Sequence, residues 1–358
     1  MSEIGRNTYA MSANKFREIE SVVSPYISRP QAEQLSFDDC KCYNFVVLDI
    51  EASSVNVTSA EVCQLSAIDY SGSHTFTEYV LPEGNINCRA TDIHNLTIGN
   101  INGVRQLLKN NVVVPALQIN EAIKKFEIYI AQCVERAKAT TNKRVMTVLI
   151  GHNLAAFDAR ILLRNAGQEF ADTMQSMDVW FADSLKLFRA LVKEKFSALQ
   201  NADGTFPKTG QASLYYALFS GGERYSAHDA LEDATALRKI LFLSRLELSF
   251  RTIVDNSQVL SVDHAFRDML YLDRRSRNSK SFTRIAHDPR TDRGLKEGVI
   301  EKISGSGLTY SDLKQVFQRY GRAGIVAILS NSPTNSPSNK PRVTRTERIL
   351  TTVVEHFQ

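Results

Sequence analysis

The stretch that most constrains this chain is Phe45-Val-Val-Leu-Asp-Ile-Glu-Ala-Ser-Ser54. An apolar run of strand formers reads as a buried strand, around which the rest of the chain is organised. The run then meets Asp49 and Glu51, which lie two positions apart and therefore project from one face. Two like charges at the end of a buried strand are costly unless something positive sits between them, and a hard divalent cation is the natural candidate. The plainer alternative is that one carboxylate caps the following turn while the other is solvated.

Neighbours for this strand follow in order. Residues 61–70, the turn Ser71-Gly72 and the alternating run 74–81 predict two more strands of an antiparallel meander. Residues 82–89 have polar loop chemistry. Over 116–139 the apolar stripe Ile119, Ala122, Ile123, Phe126, Ile130, Cys133 and Val134 predicts a long amphipathic helix. The run 145–150 predicts a strand buried on both faces, leading into Gly151-His-Asn153 and a helix through about Leu163. Another strand is expected at 177–181, then helices from Ser184, over 215–219 and over 230–248. Strands clustered first and alternating with helices later imply an α/β fold whose mixed sheet is part antiparallel and part parallel.

Outside this core the character changes. Residues 1–43 are polar and read as an N-terminal arm with one helix near 12–22, ended by Pro25. The core domain spans 44–250. Residues 251–294 read as a basic linker, in which Arg274, Arg275, Arg277 and Lys280 are candidate nucleic-acid contacts, with Arg284, Arg290 and Arg293 beyond them. A small helical module is expected over 295–330, where Thr309 and Asp312 fit a helix start, and 331–358 reads as linker and tail.

A formal net charge of +4 over 358 residues is too mild to identify a partner, so local charge matters more. The opening Met1-Ser-Glu-Ile-Gly-Arg6 lacks the apolar region of a secretory signal, and no run of about eighteen apolar residues occurs. A soluble intracellular protein with no membrane partner is expected. The five cysteines, 40, 42, 63, 88 and 133, lack zinc-site spacing and read as reduced thiols.

Two later segments repeat the theme of an acid beside a strand end. Asp158 opens the helix after the 145–150 strand, and ligands of open α/β sheets bind outside the carboxyl ends of the strands. Alone it reads as a favourable helix-start charge. In Ser226-Ala-His-Asp-Ala-Leu-Glu-Asp-Ala234, His228 sits at a helix start with Asp233 five residues on. The ordered set Asp49-x-Glu51, His152-Asn153-x-x-x-Phe157-Asp158 and His228-x-Ala230-x-x-Asp233 resembles the three motifs of the DEDDh exonucleases, a family with a ribonuclease-H-like fold. Glu61-Val-Cys-Gln-Leu-Ser-Ala67, Asp92-Ile-His-Asn-Leu-Thr97 and Asp183-Ser-Leu-Lys-Leu187 resemble elements that the family carries between them. The likeness covers about residues 44–248. The spacing from Asn153 to Phe157 is similar to the three-prime repair exonuclease branch. The segment Ile303-Ser-Gly-Ser-Gly-Leu-Thr-Tyr-Ser-Asp-Leu-Lys314 is similar to the extension of promyelocytic-leukaemia-protein-like exonucleases.

The resemblance implies a hydrolase that shortens nucleic acid from its 3′ end to nucleoside 5′-monophosphates, acting on a single-stranded end, DNA favoured over RNA. It implies that Asp49, Glu51, Asp158 and Asp233 hold two Mg²⁺ or Mn²⁺ ions. His228 would be the general base, and Ile50, Ala52, Asn153 and Phe157 would bind substrate. At Ala52 the family usually has Thr, which helps to position the terminal nucleotide, so the grip on substrate is expected to differ here. The alternative is a nucleic-acid-binding or scaffold protein that keeps the fold without the chemistry.

Overall fold

A computed structural model describes residues 12–33, 35–219, 227–283, 295–336 and 338–358. The chain divides into two compact units, Gln31–Met269 and Met1–Pro30 with Leu270–Gln358.

In the larger unit the constraining strand is β1 (Lys41–Ala52), and it lies in the middle of a seven-stranded sheet. On one side β2 (Val62–Asp69) and β3 (Thr75–Val80) form the antiparallel meander. The sequence from 88 to 117 adds helix α2 (Cys88–His94), strands β4 (Leu96–Ile101), β5 (Val104–Lys109) and β6 (Val112–Val113), and β7 (Ala116–Leu117). Strands β4–β6 form a separate antiparallel sheet, while β7 pairs with β3. On the other side of β1, β8 (Arg144–Gly151) runs parallel to it and β9 (Val179–Asp183) parallel to β8; β10 (Leu260–Ser261) closes that edge antiparallel. This is the expected ribonuclease-H-like mixed sheet flanked by helices.

The two faces of β1 bury different layers because its side chains alternate. Val46, Leu48 and Ile50 face α3 (Ile119–Lys138) and α4 (Asp158–Ser176) through Phe126, Ile130, Leu162 and Phe170. Phe45 and Val47 share the other layer with α5 (Ser184–Lys193) and α7 (Ala230–Arg238), through Phe188, Leu191 and Leu237. Between these two helices lies α6 (Gln211–Leu218), and α7 runs on through one wide turn at Lys239–Leu243. Asp49 and Glu51 continue the Phe45–Val47 row, toward α7.

The region expected to be a basic linker contains α8 (Phe250–Asn256), β10 and the long helix α9 (Val262–Lys280). Val262, Phe266 and Met269 recur at helical spacing and are buried, which gives α9 an apolar seam among its many charges. Arg284, Arg290 and Arg293 lie outside the described residues.

The smaller unit joins α1 (Ala13–Ser21) to α10 (Glu297–Gly305), α11 (Tyr310–Ser330) and α12 (Glu347–Phe357). Its core packs Phe16, Ile19 and Val23 with Ile303, Leu313, Val316 and Val353. The helix start read at Thr309 is a full capping box with Asp312, whose carboxylate also accepts from the Ser24 N–H at 3.1 Å. The N-terminal helix is therefore part of a core rather than an arm lying alone.

Candidate active site

The parallel strands β1, β8 and β9 all end at one edge of the sheet, and the acidic residues collect there. Between the pairs Glu51–Gln64 and Ala52–Val62 the register skips Cys63, an irregularity in β2 opposite the end of β1. Carboxylate oxygens of Asp49, Glu51 and Asp233 lie within 4.8 Å of one another. Asp158, buried at the start of α4, accepts a hydrogen bond from the Ile50 N–H at 3.1 Å, which places it beside the same strand end. Asp233 is held by the Gln211 side-chain amide (3.1 Å) and the His228 N–H (2.7 Å).

Packing these acids together changes their chemistry. Burial, followed by the charges of Asp158, Asp233 and Glu51, drives the Asp49 carboxyl well above its ordinary range. Burial and then Asp233 push Glu51 up to about 7, opposed by the Lys109 ammonium. Asp158 is pushed up to about 8, chiefly by burial, although the Ile50 N–H favours its charged form. Three acids in this state, with the Asp233 carboxylate beside them, favour protons or a cation, and the donor set of the four is oxygen only. That set suits a hard divalent ion such as Mg²⁺ or Mn²⁺.

The other site residues predicted from sequence take different places. The exposed His228 has φ 74°, an uncommon conformation for a residue with a β-carbon, and its ring makes no hydrogen bond among the described residues. Asn153 is exposed, also with positive φ (65°), in the loop after β8. Phe157 is half-buried against the α3–α4 layer. Ile50 and Ala52 are 3% and 4% exposed and contribute to that same apolar layer. On α9, Arg274, Arg277 and Lys280 are exposed, whereas Arg275 faces Glu301 at 3.5 Å.

Several positioning residues carry no role in the sequence reading. Asp183, buried at the end of β9, accepts from the backbone N–H groups of Asn153 (3.0 Å), Ala155 (3.3 Å) and Leu185 (3.0 Å). It therefore fixes the Asn153 loop and caps α5 at once. His94 accepts the Leu96 N–H at Nδ1 (3.0 Å), so its Nε2 carries the proton and donates to the Ala52 carbonyl at 3.0 Å. Burial holds its pKa down, keeping the ring neutral. Gln64 donates to Asp229 (3.3 Å) and accepts from the Ala230 N–H (3.3 Å), tying β2 to the start of α7. The motifs around Asp183 and His94 are visible in the sequence, but only the fold reveals which backbone groups they hold.

Comparison with known proteins gives limited likenesses. Residues 292–358 match the family model described as the C-terminal domain of PML. Among curated protein sequences none is similar to the chain. A structure of E. coli Exonuclease I in complex with a dA16 oligonucleotide is similar over 57% of this chain and 42% of that one, at 19% identity and TM-score 0.40. A zinc-bound E. coli Exonuclease I complex with single-stranded DNA gives 70% and 47%, at 15% identity and TM-score 0.42. Exonuclease I from Methylocaldum szegediense gives 57% and 40%, at 18% identity and TM-score 0.38. The chain thus spans less than half the length of these solved chains. No helix among the described residues is long and apolar enough to cross a membrane.

Proposed function

We propose that this protein is a metal-dependent 3′–5′ exonuclease that releases nucleoside 5′-monophosphates from single-stranded nucleic acid, with DNA favoured over RNA. The observation that carries the reading is the convergence of Asp49, Glu51 and Asp233 within 4.8 Å, with Asp158 beside the same strand end. Those four carboxylates would hold two Mg²⁺ or Mn²⁺ ions, which when bound supply charge neutralisation at the scissile phosphodiester and activation of water. His228 is exposed and its backbone N–H binds the Asp233 carboxylate, and its imidazole would take the proton from the attacking water. Asp183 and His94 act on the backbone: the first fixes the loop bearing Asn153, and the second fixes the turn after Glu51. Asn153 and Phe157 border the place where a terminal nucleotide would lie, while Ile50 and Ala52 support it from the core side.

The exposed row Arg274, Arg277 and Lys280 on α9 offers salt-sensitive contacts to a phosphate backbone. Arg275, engaged with Glu301, is the weakest of the four sequence candidates for this role.

The test is shortening of 5′-labelled single-stranded DNA and RNA with Mg²⁺, Mn²⁺ or chelator. A ladder of shorter 5′-labelled products that chelation abolishes is expected. His228→Ala should slow it by about a hundredfold, the usual cost of losing a general base. Retarded but uncut strands would identify a binding protein instead.

A further inference from the structure

We infer that Lys109 is a positioning residue for this centre: from the second sheet it holds the loop that carries His228, making β4–β6 part of the catalytic apparatus. The inference rests on the exonuclease reading above for its kinetic consequences, but the clamp itself is a structural feature.

Lys109 is the last residue of β5. Its ammonium donates to the His228 carbonyl at 3.3 Å and to the Asp229 carboxylate at 3.4 Å. The Lys109 side chain is 17% exposed, so the ammonium reaches this place with its stem covered. Asp229 is also the N-cap of α7, accepting from the Leu231 N–H at 3.2 Å, and it receives the Gln64 amide at 3.3 Å. Three elements, β2, β5 and α7, therefore meet on one carboxylate.

That meeting point bears directly on His228. Its positive φ is strained for a residue with a β-carbon and persists only if the surroundings impose it. The surroundings do so from both sides: the His228 N–H is held by Asp233 at 2.7 Å, and its carbonyl by Lys109. With both backbone groups held, the Cα–Cβ bond from which the imidazole projects is held as well. Remove the ammonium and one of the two tethers is gone. Asp233 stays tied through Gln211, so the acidic cluster itself survives the change. Lys109 holds the site through the His228 backbone, and its charge also opposes the rise of the Glu51 carboxyl.

The experiment compares Lys109→Met, which keeps the stem and deletes the charge, with Lys109→Arg, which can keep both hydrogen bonds. Three readouts are taken on each: kcat and KM on labelled single strands, Mn²⁺ affinity by calorimetry, and backbone hydrogen exchange over residues 227–231. For Lys109→Met we expect kcat lower by about tenfold or more, in line with the cost of a misplaced catalytic group. KM should stay within about threefold, Mn²⁺ affinity should not fall, because the deleted charge repels a cation near Glu51 rather than holding one, and exchange over 227–231 should quicken. Lys109→Arg should restore kcat to within about threefold of the original. An unchanged kcat in an active protein, a loss confined to KM, or exchange that does not respond would each overturn the inference. If the unaltered protein shortens no strand with either metal, the exonuclease reading falls, and the exchange measurement alone decides whether the clamp exists.

Discussion

At the residue scale, the acidic centre is defined by what its carboxyls cannot do together. Glu51 and Asp158 are raised from their usual 4.5 and 3.8 to about 7 and about 8, and the first cause for each is burial. A carboxyl with a raised folded pKa binds its proton more tightly in the folded than in the unfolded chain. Between about pH 4 and pH 8 the folded chain then holds more protons, so stability falls as pH rises through that window. The cost from Glu51 alone approaches about 3 kcal/mol at the upper end. We therefore expect the melting temperature of metal-free protein to fall from pH 5 to pH 8, and Mn²⁺ to raise it more at pH 8 than at pH 5. Thermal scans with and without chelator check this, and a Mn²⁺ effect independent of pH would contradict the ordering. The five acid and base positions are legible in the sequence because each sits at a strand or helix end within a recognisable motif. Lys109 and Asp229 are not, since nothing in the spacing of residues 109 and 229 reveals that they meet at 3.4 Å.

At the element scale, the site depends on how closely β1 and the turn after β8 approach. A β-carbon added at Gly151 would stand 2.8 Å from the Leu48 carbonyl oxygen and 2.8 Å from a Leu154 methyl. The first neighbour is backbone of the strand that carries Asp49, so it yields only by moving the site. Gly151→Ala should destabilise the protein by about 1–3 kcal/mol, as overpacking does, and lower turnover in what remains folded. Chemical denaturation and kcat measured on the same sample test both halves. The strands β1–β3, β8 and β9 are readable from apolar runs and alternation. The sheet β4–β6 is not, because its strands are short and mix polar with apolar residues, although Asn102-Gly103, with φ of 54° and 80°, is the two-residue turn that such a hairpin requires. Helix α9 is hidden by its charge: its seam of Val262, Phe266 and Met269 is narrow, and the arginines around it have the composition of a linker.

At the scale of the whole molecule, the acidic residues and the basic residues proposed as contacts fall in different compact units. Residues 31–269 contain the complete acidic centre, His228, and the Lys109 clamp, while Arg274, Arg277 and Lys280 lie in the other unit. A chain cut to residues 31–269 should keep metal-dependent shortening of single strands. Its binding should become less sensitive to salt, the logarithmic slope falling by about one for each phosphate that is no longer neutralised. Titrations from 50 to 200 mM salt, about the range over which such charge pairs weaken, would measure this. An unchanged slope would remove the α9 row from the binding surface. The sequence does not reveal that residues 1–30 belong with 270–358, because that grouping rests on Phe16 and Ile19 meeting Leu313 and Val316 across nearly the whole chain.

The central claim is that Asp49, Glu51, Asp158 and Asp233 form one cation-binding centre, and Mn²⁺ calorimetry near pH 7.5 tests it most directly. Because Glu51 and Asp158 titrate near 7 and 8, binding should release protons, so the heat should depend on the ionisation enthalpy of the buffer. Saturable Mn²⁺ binding with proton release, lost in a folded Asp49→Asn/Asp233→Asn variant, is the predicted result. Binding that persists undiminished in that variant would contradict the account.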